Sequence, residues 1–309
     1  MSTTTSGIPT TTRGLDGLVA RDARLRLVHT GAAWTEGPVW LPREQALRWS
    51  DIPNDRILQW SWQTGETHVH RTRVEFTNGR CLDRNGDVVQ CSHGRRRVER
   101  ERADGTVESL ADEYHGTRFN SPNDVVVKDD GSVWFTDPPY GIVEAREGHA
   151  GWREYGDHWV FRVDGVTGEV RPVVLDVEEP NGLAFSPDES ILYVADSSSV
   201  RRPAGVGNHH IRAYDVVDGI RCKNSRVFAV IENGFSDGIR VDREGNVWSS
   251  SAGGVEVFAP DGTHLGGIDT PELVGNLCFG GPDGSELFIA ASTSILRIQT
   301  LTTDARPAL

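Results

Sequence analysis

Six places in the chain set a carboxylate or an amide directly ahead of a short apolar stretch: Glu36 in EGPVW, Asn78 in NGRCL, Asn123 in NDVVV, Asn181 in NGLAF, Asp237 in DGIRV and Asn276 in NLCFG. A single Asn-Gly is an ordinary turn signal. Six polar residues at matching points of a recurring unit, two of them acidic, raise a chemical question. If the fold gathers them, two carboxylates and four amides share one small volume. Buried polar groups without partners cost free energy, and neighbouring carboxylates repel. A hard divalent cation relieves both costs, because carboxylate and amide carbonyl oxygens are its preferred ligands. A shared metal or polar-ligand site is therefore expected. The plainer alternative is that these residues cap strand ends and hold channel water.

The units that carry them must be able to bring them together. Each begins with the polar leader, continues as a short apolar strand, turns at a DG, NG or PD step, and returns as a second β-rich strand. A third strand often follows, as in RILQWSW, HWVFRVD, HIRAYDV, GVEVFAP and ILRIQT. Turn-bounded strands at this density, with almost no helical periodicity, predict an all-β fold. Six repeats of roughly 40 to 58 residues predict a six-bladed β-propeller, one sheet per blade. In such a ring the innermost strands run side by side about the axis, so the leaders converge at one mouth of the central channel. Two insertions, 141–158 and 197–209, interrupt the spacing, and long connections in compact folds tend to be functional. RLRLVHT, residues 24–30, is a strand without a unit of its own. It is expected to pair, around Leu25 to Val28, with ILRIQT of the last unit and so close the ring. The organisation read from the chain is a flexible tail over 1–22, one propeller domain over 23–302 and a C-terminal tail over 303–309.

Bulk properties narrow the classes. The chain has 309 residues and a net charge of -13, which disfavours phosphate backbones as partners. The basic run RRRVERER, residues 95–102, reads as a solvated strand face with interleaved Glu99 and Glu101. No apolar run is long enough to span a bilayer, and the N-terminus lacks an apolar h-region, so a soluble, cytoplasmic protein without membrane partners is expected. The four Cys form no CxxC pair and are expected to be reduced and buried. No GxSxG elbow and no GxxxxGK[ST] loop is present, which removes support for serine-hydrolase and nucleotide chemistry.

Taken in order, EGPVW, FNSPNDVVV, FTDPPYG, EPNGLAFSPDE, SDGIRVDREGNVW and GNLCFGGPDG resemble the gluconolactonase/regucalcin/luciferin-regenerating enzyme family, and within it the bacterial sugar lactonases, from about residue 25 to 300. The resemblance implies a six-bladed propeller with one divalent ion at the channel mouth, calcium first, with magnesium, manganese, zinc or iron(II) as alternatives. It implies Glu36, Asn181 and Asp237 as the metal ligands, three of the leaders already singled out. It also implies Asn123 as a substrate-binding neighbour of the metal, with Asn120 beside it and Arg118 as the match for the family's substrate-contacting Arg. The implied activity is hydrolysis of a gluconolactone-like sugar lactone to its hydroxy acid, by a monomer or small homo-oligomer. Asp237 is the candidate catalytic base, since a carboxylate at the ion can accept the proton of the attacking water. Two alternatives stand beside this: a hydrolase of the same fold acting on aromatic or fatty lactones or organophosphates, which Trp152, Tyr155 and Trp159 keep open, and a non-enzymatic metal-binding or interaction propeller. His93, His209 and His210 read as strand-edge residues, with the pocket rim as the alternative, and Asp137 and Tyr140 of TDPPYG as mouth or rim residues held by Pro138 and Pro139, for turn architecture or for substrate contact.

Overall fold

Runs such as ALRWSD and VWFTD send alternate side chains to opposite faces of a strand, and here every one of those residues is buried. That is the burial a sheet needs when it is stacked between two neighbours. The computed structural model describes residue 8 and residues 11–203 and 205–306. Six antiparallel sheets of at least four strands follow one another around a channel. Their innermost strands are Thr35–Leu41, Thr77–Leu82, Val125–Val127, Pro180–Phe185, Ile239–Val241 and Val274–Gly280 for blades 1 to 6. Within blades 1 to 5 the strands run outward in chain order, each pairing with the next.

Blade 6 supplies only three strands of its own, and Arg26–Thr30 takes the outermost place, with Leu27 opposite Leu296 and Thr30 opposite Ser294. The ring is closed by the N-terminal strand, as the sequence predicts. Apolar clusters fill the interfaces between blades. Trp134 and Val160 of blade 3 meet Leu183 and Leu192 of blade 4, and Trp49 and Leu58 of blade 1 meet Phe288 and Ile295 of blade 6. The smallest cluster, Val39, Leu41 and Val88, lies between blades 1 and 2.

That weak apolar seam explains a correction. The run RRRVERER is not a solvated face: Glu99 and Glu101 are buried in strand Arg97–Glu101. Glu101 lies 2.9 Å from His70 Nε2 and 3.5 Å from Arg48 Nη1, both of blade 1, so charge pairing replaces apolar packing at this interface. Arg95 and Arg97 pair with Glu99 at 3.3 and 2.6 Å.

The tails also differ from expectation over the described residues. Thr12–Arg13 adds a fifth strand to blade 5, pairing with His264–Asp269, and Leu15 and Val19 are buried between blades 5 and 6. The segment looked polar because its two core residues stand among Thr, Gly and Asp; residues 1–7 and 9–10 lie outside the described residues. At the other end, Ala305 N–H donates to Val241 O at 2.9 Å and Arg306 Nη2 lies 2.8 Å from Glu189. Residues 307–309 lie outside the described residues. All four cysteines are free thiols, but only Cys91 and Cys278 are buried; Cys81 and Cys222 are half-buried, which differs from the expectation. Among the described residues no helix is long and apolar enough to cross a membrane.

Candidate active site at the channel mouth

Each leader is fixed by the start of its innermost strand, and neighbouring starts are bonded through the backbone. Gly79 N–H donates to Asn123 O, Gly182 N–H to Asp237 O, and Gly238 N–H to Gly275 O, at 2.9, 2.9 and 2.7 Å. The glycines are there for close approach: a Cβ on Gly182 would fall 2.2 Å from Asp237 O, and one on Gly238 2.2 Å from Asn276 Oδ1.

Glu36 and Asp237 form the acidic part of this ring. Glu36 is 3 % exposed, and its Oε2 accepts from Gly37 N–H at 2.9 Å and from the Asn276 amide at 3.0 Å. Burial raises its pKa to about 7 despite those donors, and Asp124 and Glu147 add repulsion. Asp237 is partly exposed at the mouth, and its N–H donates to Ser250 Oγ at 2.8 Å. Desolvation, and then the charge of Glu36, push its pKa well above the ordinary carboxylate value; the Asn181 side chain hydrogen-bonds it and works the other way. The structure therefore brings Glu36, Asn181 and Asp237 into one electrostatic unit.

The amides of blades 2 and 3 meet at a histidine. His93 is fully buried, with Nε2 3.2 Å from Asn78 Nδ2 and 3.5 Å from Asn123 Nδ2. Its Nδ1 lies 3.0 Å from the backbone oxygen of Glu147. The strand-edge reading of His93 is thus corrected. Nothing in CSHGRR announces its place, because its partners come from two other blades and an insertion. Asn78 Oδ1 is buried and has no hydrogen-bond partner.

The insertion 141–158 covers this side of the mouth. Glu147 carries a side chain only 17 % exposed, and it was missed because it sits in an irregular segment without a repeat to compare. Arg96 grips the segment through Trp152 O at 3.3 Å and Glu154 Oε1 at 3.0 Å. Asn120 belongs to this clamp: its Nδ2 donates to Asp137 O, the Tyr155 hydroxyl and Asp157 O, at 3.0, 3.2 and 3.2 Å. Asp137 accepts the N–H of Asn120 and of Ser121, at 2.7 and 2.8 Å, and the Tyr155 hydroxyl. Asp137 and Asn120 thus anchor the insertion.

Arg118 is exposed in the short strand Thr117–Arg118, and the structure does not gather it with the ring. The hairpin it makes with Glu113–Tyr114 turns it outward. His209 bonds Ile231 O through Nδ1 at 2.7 Å, and His210 Nε2 lies 4.0 Å from Asp196, so neither joins Glu36 and Asp237. Tyr155 and Trp159 pack on Phe161 in the seam between blades 2 and 3, which leaves Trp152 as the exposed aromatic of the three.

The ring suits a hard cation in donor chemistry: two carboxylates of raised proton affinity, the charge of one raising that of the other, amides beside them, and an orphaned amide oxygen. Among the described residues no group of three or more His, Cys, Asp or Glu is spaced as a metal cluster, so any such site draws on Asn for its remaining ligands. A cavity of about 690 Å³ lies along the opposite half of the channel, lined by residues such as Arg80, Arg240 and Cys278; the ring of leaders does not border it.

Comparison with known proteins gives concordant findings. The family described as SMP-30/Gluconolactonase/LRE-like region matches residues 34–293. A gluconolactonase of Zymomonas mobilis is 30 % identical over 311 aligned positions, covering 93 % of this chain and 84 % of that protein. A pentonolactonase of Haloferax volcanii is 31 % identical, covering 86 % of this chain and 84 % of that protein. Among solved structures, a gluconolactonase of Xanthomonas campestris superposes with a TM-score of 0.85 at 37 % identity, covering 96 % of this chain and 98 % of that one.

Proposed function

Because the chain belongs to the SMP-30/gluconolactonase/LRE-like family and is a lactone-hydrolysing enzyme, we propose that it opens a small sugar lactone to its hydroxy acid with a divalent ion held at the channel mouth. Glu36, Asn181 and Asp237 would hold the ion, with Asn123 beside it; calcium is our first assignment and the cytoplasm our assigned compartment. The observation that carries this reading is the presence of two carboxylates whose proton affinities burial raises, with the charge of Glu36 raising that of Asp237 further. Such a pair has a chemical reason to exist only if a cation or a proton sits between its members.

When bound, the ion supplies polarisation of the ester carbonyl and a lowered pKa for the attacking water. The chain's own groups do the rest. Asp237, partly exposed where Glu36 is not, is placed to take a proton from water entering the mouth. Glu36 is held by two donors on one oxygen, which suits it to a fixed position beside the ion. Asn78 and Asn123 offer oxygens to substrate hydroxyls, and the insertion limits the water that reaches them. Two of the three aromatics that favoured aromatic lactones, Tyr155 and Trp159, are half-buried and packed between blades, which leaves polyol lactones as the better match.

The test is hydrolysis of a panel of aldonolactones, aromatic lactones and an organophosphate, with and without chelator, alongside calorimetric titration of calcium, magnesium, manganese and zinc. Aldonolactone turnover that chelation abolishes and one ion per chain restores is expected. Full turnover in chelator with no ion bound would overturn the metal assignment, and exclusive turnover of aromatic substrates the substrate class.

A further inference from the structure

We propose that His93 is a positioning residue with two separable jobs: it turns the amides of Asn78 and Asn123 so that their oxygens face away from it, and it latches the insertion 141–158 over the site. The argument begins with the ring nitrogens. Nδ1 lies 3.0 Å from a backbone carbonyl, that of Glu147. A carbonyl can only accept, so Nδ1 carries the hydrogen. Full burial keeps the ring neutral, so Nε2 bears a lone pair. Two side-chain amides approach that lone pair, at 3.2 and 3.5 Å, and each must do so through its NH2 group. Each Oδ1 is thereby turned away from His93, and Asn78 Oδ1 finds no partner within the protein. An orphaned buried acceptor has the chemistry to take a substrate hydroxyl or a cation.

The latch is equally specific. Glu147 lies in an irregular stretch, and the His93 bond fixes its backbone at the point where the chain must pass over the ring. The packing has no slack there: a Cβ on Gly141 would fall 2.5 Å from His93 Cβ, and one on Gly148 2.1 Å from Gly141 O. One imidazole thus couples three parts of the molecule: the leaders of blades 2 and 3, and the insertion.

The first measurement uses the wild-type protein: ring nitrogen-15 spectra assigned to His93 between pH 5 and 8. Hydrogen on Nδ1 and a lone pair on Nε2, the tautomer less favoured in water, are expected throughout. Hydrogen on Nε2 would overturn the proposal whatever any variant does. The second compares two substitutions. His93→Gln places its amide near the Nε2 position, and His93→Asn near the Nδ1 position. His93→Gln, which keeps an acceptor for the two amides, is expected to lower kcat/KM at least about threefold less than His93→Asn does, while amides of 141–151 exchange hydrogen about tenfold faster or more. His93→Asn is expected to keep the exchange pattern, while kcat/KM falls about 10- to 100-fold, mainly through KM. Parallel changes of both readouts in both variants would make His93 an ordinary core residue and overturn the proposal. The kinetic arm rests on the lactonase reading; should no lactone be turned over, that reading fails, while the tautomer and exchange results still decide this one.

Discussion

Asp237 and Glu36 are both raised carboxylates, yet their surroundings separate them. Glu36 is sealed beneath two donors, and Asp237 meets solvent at the mouth. Asp237→Asn keeps an oxygen ligand and removes the proton acceptor, so turnover at saturating ion should fall by about 10² to 10⁴ with little loss of fold. Asn181→Asp is the control, since it adds charge and leaves Asp237 intact; a near-normal rate for Asp237→Asn would reduce Asp237 to a ligand. A second prediction concerns pH and His93. Burial lowers its pKa from 6.5 to about 4. Below pH 6.5 the unfolded chain therefore binds a proton that the folded chain refuses, and this residue's contribution to stability is lost as pH falls from about 6.5 to about 4. The loss is on the order of 3 kcal/mol. Urea unfolding of wild type and His93→Gln at pH 7 and 4.5 should show the difference between them shrinking at the lower pH. Parallel profiles would mean that His93 ionises in place without cost.

At the scale of elements, the ends of the chain make the clearest prediction. Leu15 and Val19 are buried between blades 5 and 6, and Arg26–Thr30 is the outer strand of blade 6. Removal of residues 1–20 should lower the melting temperature but leave a cooperative transition, since Leu15→Ala alone should cost about 2 to 5 kcal/mol. Removal of residues 1–32 should abolish the cooperative transition. Equal melting of the two truncated chains would show that the closing strand is dispensable. The same ends show what a sequence can and cannot convey. The closing strand RLRLVHT was legible because Leu25 and Leu27 alternate with Arg in one unbroken β-rich run, and the six leaders because a repeat can be laid against itself. Leu15 and Val19 were not, because a few apolar residues among Gly, Asp and Arg make too short a run to set a period. Arg118 was misplaced because Phe119-Asn120 fixes the chain register but not the hairpin that turns Arg118 to solvent. Asn120 was expected beside the substrate and instead donates to Asp137, Tyr155 and Asp157, partners that only the folded insertion brings near. The run RRRVERER was misread because composition cannot tell an exposed strand from one facing a neighbouring blade through ion pairs.

At the scale of the whole molecule, the ion and the ring are thermodynamically linked. An ion that binds only the folded ring stabilises it by about 2.7 kcal/mol at a hundredfold excess over its dissociation constant. Chelator should therefore lower the melting temperature of the wild type. Glu36→Gln should reverse the pattern: without ion it should melt above the wild type, because the buried one of two repelling carboxylates is gone, and added ion should no longer raise it. Scanning calorimetry of both proteins with and without ion checks the two signs; a variant that melts lower in every condition would show that Glu36 serves packing alone. The pairing of Leu27 with Leu296 has a consequence for how the protein is made. A ribosome releases the first of these residues long before the second exists, so during synthesis the chain is an open arc with unpaired strand edges at both ends. This non-local pairing forms late, and until then the nascent protein is exposed to pairing with its neighbours on the polysome. The finished ring removes that hazard by joining beginning to end, with Leu301 N–H bonded to Leu18 O at 2.8 Å. Linking the two termini and reopening the chain between blades would let the last seam form during synthesis.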